Sequence, residues 1–174
     1  MSEDKSGRNV IEVLVEIPKG SRNKYEYDHE RGVMRLDRRL FSATTYPADY
    51  GFIIDTLAED GDPLDVLVLC DDATFSGCLV TARPLGIFWM KDEKGPDAKI
   101  VAAPYSDPVW DVYRELDDIT PALLSEIEHF FDVYKMLEPK KGSLTHGYGG
   151  LDEAIDEIES CRARHQEKSA GASR

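Results

Sequence analysis

Cysteine is scarce in this chain: Cys70, Cys78 and Cys161 are an odd number, and no two form a CxxC pair. That argues against a disulfide framework or a cysteine zinc site, and predicts free thiols in a reducing, cytoplasmic setting. Basic charge is also short. Lys and Arg number 21 against 34 Asp and Glu, a formal net charge of −13, which disfavours nucleic acid and anionic lipid as partners. No apolar run approaches the roughly 18 residues that cross a bilayer. The start, Met1 to Gly7, is polar and lacks the hydrophobic stretch of a secretory signal. Neither a GxxxxGKS/T nor a GxGxxG loop is present, so any phosphate would be held by side chains and metals rather than a glycine-rich cradle. A GxSxG elbow is absent too. His29, His129, His146 and His165 show no metal-ligand spacing and read as surface residues.

What remains is a chain of 174 residues, 41% hydrophobic and 32% charged, the profile of one globular domain over residues 1–174. Both polar ends, about 1–9 and 166–174, are expected to fray. Ile11, Val13, Val15 and Ile17 alternate with Glu12, Leu14 and Glu16, a period-two strand stopped by Pro18-Lys19-Gly20. Lys24–Asp28 alternates likewise, and Val33–Asp37 reads as a third short strand after the turn at Arg31-Gly32. Val66–Leu69, Leu79–Arg83, Gly86–Met90 and Lys99–Ala103 read as buried strands. After Asp107 the period changes. Thr120-Pro121 opens a helix whose stripe is Leu123, Ile127, Phe130, Tyr134 and Leu137, with Pro139 as the stop. Gly147–Gly150 reads as a flexible connection, and a second helix is expected from about Leu151. The layout is mainly β with flanking helices (α+β): a mostly antiparallel barrel with two helices late in the chain.

The densest chemical signal is Asp60-Gly61-Asp62-Pro63-Leu64-Asp65, just before a buried strand. Three carboxylates on a bent backbone can converge on a hard cation through oxygen ligands. Asp65 should sit at the mouth of the core, where an unpaired charge is costly. A second acidic turn, Asp92–Asp97, also stands between two apolar strands. An EF-hand is excluded by spacing, because Asp65 takes the place where that loop needs glycine. Lys24, Arg38 and Lys99 lie on or beside strands and Lys135 on the late helix, while Tyr46, Tyr50 and Tyr134 offer hydroxyls.

Asp60–Val66 resembles the signature of the family I soluble inorganic pyrophosphatases, in the short bacterial form. Glu16-Ile17-Pro18, Lys24-Tyr25-Glu26, Leu36-Asp37-Arg38, Tyr46-Pro47, Asp49–Phe52, Asp92-Glu93, Asp97-Ala98-Lys99 and His129–Lys135 follow in that family's order. The resemblance spans about residues 10–160. It implies an OB-like, five-stranded closed barrel with the active site at its mouth, and three or four Mg²⁺ ions, with Mn²⁺ or Zn²⁺ as possible substitutes. By position, Asp60, Asp65 and Asp97 would hold one tight ion, with Asp65 reaching a second. Asp92 and Asp97 would hold a metal arriving with substrate, and Glu16 a further one largely through water. Lys24, Arg38, Tyr50, Lys99, Tyr134 and Lys135 would contact the phosphates. A homohexamer is implied as well, with no nucleic-acid or membrane partner; His129, Asp132 and the loop from Asp71 to Ser76 are candidate contacts.

Those residues suit hydrolysis of pyrophosphate to two orthophosphates, which draws biosynthetic reactions forward by removing a product. Two metals sharing a water lower its pKa towards neutrality, and Lys and Arg neutralise the leaving phosphate. Asp62 is the carboxylate left free to act as general base, with Asp97 as the rival catalytic residue. The competing class is a non-catalytic OB-like module with one structural ion, disfavoured by the surplus of carboxylates beyond what one ion needs.

Overall fold

The computed structural model describes residues 2–3 and 9–172. Strand β1 (Ser2–Glu3) pairs with the start of β2 (Asn9–Ile17), in which Ile11, Val13, Val15 and Ile17 are the buried set. Strands β3 (Asn23–Asp28) and β4 (Val33–Arg39) make a separate two-stranded sheet. There follow β5 (Asp49–Ile53), β6 (Asp65–Val68), β7 (Leu79–Asp92), β8 (Gly95–Pro96) and β9 (Lys99–Pro104). Helix α1 (Pro121–Val133), strand β10 (Ser143–Gly149) and helix α2 (Leu151–Ala172) complete the set. None of the described helices is long and apolar enough to cross a membrane.

Strands β2, β5, β6, β9 and β7 pair in that order, and β7 returns to β2, closing a five-stranded barrel. Within it only β6 and β9 run parallel. The mainly β fold with a closed barrel and two late helices, expected from the sequence, is therefore the fold observed. Successive residues on a strand face opposite ways, and β6 and β9 are buried on both faces. Val66, Val68, Ile100 and Ala102 join Ala154, Ile158 and Cys161 of α2 in one apolar layer. Leu67, Leu69, Val101 and Ala103 join Ile127, Phe130 and Phe131 of α1 in another. Each fully buried Val, Leu or Ile contributes ~1.5–3 kcal/mol, so the two helices are held by what the barrel presents to them.

Four local features depart from the sequence reading. The runs 79–83 and 86–90 are one strand, β7, because Pro84 sits where the β7–β9 register shifts, a bulge that needs no N–H from it. Helix α1 ends at Val133 rather than at Pro139. Three-residue turns replace the helix there, with Met136 N–H donating to Val133 O and Glu138 N–H to Lys135 O. Leu137 consequently leaves the apolar stripe and is 65% exposed, and Lys135 lies beyond the helix. The stretch 147–150 is not a free connection: Tyr148 and Gly149 pair with Phe88 and Ile87 of β7. Finally, Thr120 precedes Pro121 in extended conformation, but its side chain makes no capping bond. As for the ends, Ser2 and Glu3 pair with β2 and α2 runs on to Ala172; residues 1, 4–8, 173 and 174 lie outside the described set.

Candidate active site

One cavity of about 600 Å³ gathers the chemistry. Strand β2 delivers Glu16 through a bulge. Val15 stands opposite Gly51 and Ile17 opposite Tyr50, so Glu16 is the extra residue. The same step moves Val15 and Ile17 into different apolar layers. Close approach of the strands depends on Gly51, where a Cβ would meet the Leu14 carbonyl oxygen at 2.0 Å.

The loop before β6 places three aspartates. Gly61 takes φ +91°, a region that glycine enters without steric cost. Ala58 N–H donates to Asp62 O at 2.7 Å, and Asp62 N–H to Asp60 Oδ1 at 3.0 Å. Thr56, itself buried, pins the loop base, its hydroxyl donating to Ile53 O and accepting from Leu64 N–H. Asp92 stands at the end of β7, and Asp97 just before β9. The β3–β4 sheet supplies Lys24 and Arg38, and the turns after α1 supply Tyr134 and Lys135.

Every sequence-predicted site residue lines this cavity except Lys99. That lysine lies beneath it, its side chain 1% exposed, with Nζ donating to Asp65 Oδ2 at 2.9 Å and to Asp97 Oδ1 at 2.7 Å. Tyr50 hydroxyl donates to the same Asp65 oxygen. Lys99 also sits 5.3 Å from the Tyr50 ring centroid and 5.4 Å from that of Phe131. The sequence placed Lys99 against phosphate; its hydrogen bonds place it against carboxylates instead. Lys135 Nζ donates to Asp92 Oδ2 at 2.9 Å. Asp62 faces solvent, 67% exposed, with Lys94 Nζ 3.8 Å away. Glu26, Asp37, Glu93, Lys94 and Lys141 also line the cavity. Glu26, Asp37 and Glu93 fall inside motifs already noted, but nothing in their spacing marks them as sharing this space.

The electrostatics follow from that count. Eleven carboxylate side chains and five Lys or Arg side chains line the cavity, so its own cations do not balance it. Burial pushes the Glu16 carboxyl up to about 7, against the Tyr27 N–H bond that opposes the shift. Burial raises Asp60 and Asp97 as well. At Asp92 burial acts upward, but the hydrogen bonds from Lys135 and the Lys94 N–H, with the charges of Lys135 and Lys99, together outweigh it and the carboxyl lies below its ordinary range. Lys99 is raised: burial opposes its charge, and Asp65 with Asp97 more than offset that. Among the described residues no three His, Cys, Asp or Glu side chains are grouped tightly enough to hold an ion as they stand. The lysines occupy oxygens of Asp65, Asp92 and Asp97. The all-oxygen, carboxylate-rich donor set with its charge surplus nevertheless fits a hard divalent cation such as Mg²⁺.

Comparison with known proteins agrees with this arrangement. A sequence model described as inorganic pyrophosphatase matches residues 13–166. An inorganic pyrophosphatase of Methanosarcina acetivorans is 51% identical, the match covering 95% of this chain and 98% of that one. One of Streptomyces coelicolor is 50% identical over 91% of this chain and 97% of that one. The solved structure of the Helicobacter pylori inorganic pyrophosphatase superposes with a TM-score of 0.90 at 41% identity, covering 95% of this chain and 96% of that one. A barrel of this topology, an acidic cavity at its loops and identity of this extent over nearly the whole chain lead to one conclusion: the chain belongs to the inorganic pyrophosphatase family.

Proposed function

We propose that this chain hydrolyses inorganic pyrophosphate to two orthophosphates, with Mg²⁺ as its resident cofactor. The observation that carries the reading is the meeting of both acidic turns with Lys24, Arg38, Tyr134 and Lys135 in a single cavity. Asp60, Asp65 and Asp97 would hold one tight ion, with Asp65 reaching a second; Asp92 and Asp97 would hold one arriving with substrate and Glu16 a further one, three or four in all, and Mn²⁺ or Zn²⁺ could substitute. Bound there, Mg²⁺ neutralises the substrate's charge and acidifies the attacking water.

The protein's own side chains do the rest. Lys24, Arg38 and Lys135 carry fixed positive charge to the cavity wall and would orient the phosphoryl groups. Tyr50 and Tyr134, whose hydroxyls burial keeps protonated, can only donate or accept hydrogen bonds, never compete as bases. Lys99 bridges Asp65 and Asp97 from below, and its charge offsets the mutual repulsion that would otherwise open the site. Asp62 is the general base. It has no hydrogen-bonded cation, whereas an oxygen of its rival Asp97 is already taken by Lys99. The products would be two phosphates and no covalent adduct.

Three free thiols, two of them buried, support a cytoplasmic setting. Phosphate release from pyrophosphate, measured with Mg²⁺ and with excess chelator, tests the whole reading. Turnover should need the metal, and Ca²⁺ should bind while supporting little of it, because its larger radius and looser coordination misplace the water. Undiminished turnover in chelator, or none with Mg²⁺, would sink it.

A further inference from the structure

Glu138 lies in the turns between α1 and β10, with its side chain only 2% exposed. A carboxylate buried to that degree is costly unless it is paired, and here both oxygens are. Oε1 accepts from Arg38 Nε at 2.9 Å, and Oε2 stands 3.2 Å from Lys141 Nζ. Both cations line the active-site cavity and Glu138 does not. It is therefore a buried anion set behind two cations at the cavity wall.

The geometry at Arg38 is specific. Nε is held by Glu138 and Nη1 by Asp37, while Nη2 makes no hydrogen bond to a described residue and is left for the cavity. Arg38 stands at the end of β4, in the small sheet separate from the barrel. Its bond to Glu138 spans 100 residues of sequence and ties that sheet to the turns after α1. A long side chain on a two-stranded sheet has many rotamers to lose, and a guanidinium reads a phosphoryl oxygen pair well only when its plane is fixed.

We propose that Glu138 is a positioning residue of this site: it fixes the guanidinium plane of Arg38, and the Lys141 ammonium beside it, towards one phosphoryl group of the substrate. The proposal rests on the reading of Arg38 as a phosphate contact. Glu138 touches no substrate and acts only through its cations.

The test is a double-variant cycle on the full-length protein with saturating Mg²⁺, reading kcat and KM for pyrophosphate and the melting temperature of each variant. Glu138→Ala should lower kcat/KM roughly 10–100-fold, with the same split between kcat and KM as Arg38→Ala. In the Arg38→Ala background it should add a factor of about three or less. Glu138→Gln, which keeps an oxygen acceptor for Nε but loses the charge, should recover only part of the loss and stay roughly three- to tenfold below wild type. If Arg38→Ala leaves kcat/KM unchanged, the reading of Arg38 fails and this proposal falls with it. If Arg38→Ala is impaired but Glu138→Ala matches wild type, or the two losses multiply, positioning alone is overturned. Should Glu138→Ala not fold, Glu138→Gln carries the cycle, where a threefold or greater loss absent from the Arg38→Ala background supports the proposal and wild-type kcat/KM overturns it.

Discussion

Single residues in this site are defined by what already occupies their oxygens. Asp62 and Asp97 look alike in sequence, yet Asp97 is half-buried against Lys99 while Asp62 is exposed with only a distant lysine. Replacing Asp62 by Asn preserves shape and removes the proton acceptor, so turnover should fall about 10²–10⁴-fold with an unchanged melting temperature. Near-normal turnover in Asp62→Asn together with a collapse in Asp97→Asn would transfer the base to Asp97. Glu16 offers a pH prediction. Its carboxyl rises from 4.5 to about 7 on folding, chiefly through burial. The folded chain then binds more protons than the unfolded one between those values, so this contribution favours the fold at low pH and is lost as pH rises through 7. The difference amounts to about 3 kcal/mol. In chelator, urea melts at pH 5.5 and pH 8 should show Glu16→Gln stabilising the protein mainly at the higher pH. Equal effects at both would show that Glu16 ionises freely. With Mg²⁺ present the trend should reverse, since proton and metal compete for one carboxylate.

At the scale of elements, strand period and helix period were readable because burial enforces them, whereas the interruptions were not. The alternation Ile11, Val13, Val15, Ile17 is unbroken in sequence, and nothing in it marks Glu16 as a bulge; the register against β5 creates it. Gly51 is the partner that makes the approach possible. Gly51→Ala would drive a Cβ into the Leu14 carbonyl carbon and oxygen at 2.8 and 2.0 Å, backbone atoms that no rotamer can move aside. We expect a loss of about 2–3 kcal/mol in urea unfolding, together with reduced activity as Tyr50 and Glu16 shift. A variant as stable as wild type would mean the strands can separate without cost. Helix α1 illustrates the same limit. Tyr134 and Leu137 continue its stripe in sequence, but the chain turns after Val133 and Lys135 pairs with Asp92 of β7. A local pattern does not register a distant ion pair.

For the whole molecule the governing quantity is the net charge of −13. Metal binding should oppose the repulsion it implies, so Mg²⁺ should raise the melting temperature and chelator lower it. Copies of so acidic a chain need local contacts to associate, and Phe75, 66% exposed in the loop 71–76, is available for one. Light scattering coupled to size exclusion, in Mg²⁺ at neutral pH, should give a mass near six times 19.6 kDa. A stable monomer would refute the hexamer and leave the chemistry untouched. What the sequence determined by itself was the set of parts. Its apolar periodicities specified a barrel with two late helices, because hydrophobic burial acts on every second or every third and fourth residue along the chain. Its acidic turns marked the site, because carboxylates crowded before buried strands need a cation. What only the tertiary structure decided was how those parts are paired. Lys99 went beneath the carboxylates rather than against the cavity, Glu16 was turned by a bulge, and Glu138 came up behind Arg38 from 100 residues away. Charges and hydrogen bonds act over a few ångströms of space whatever their separation in sequence, so those partners exist only once the strands have taken their register.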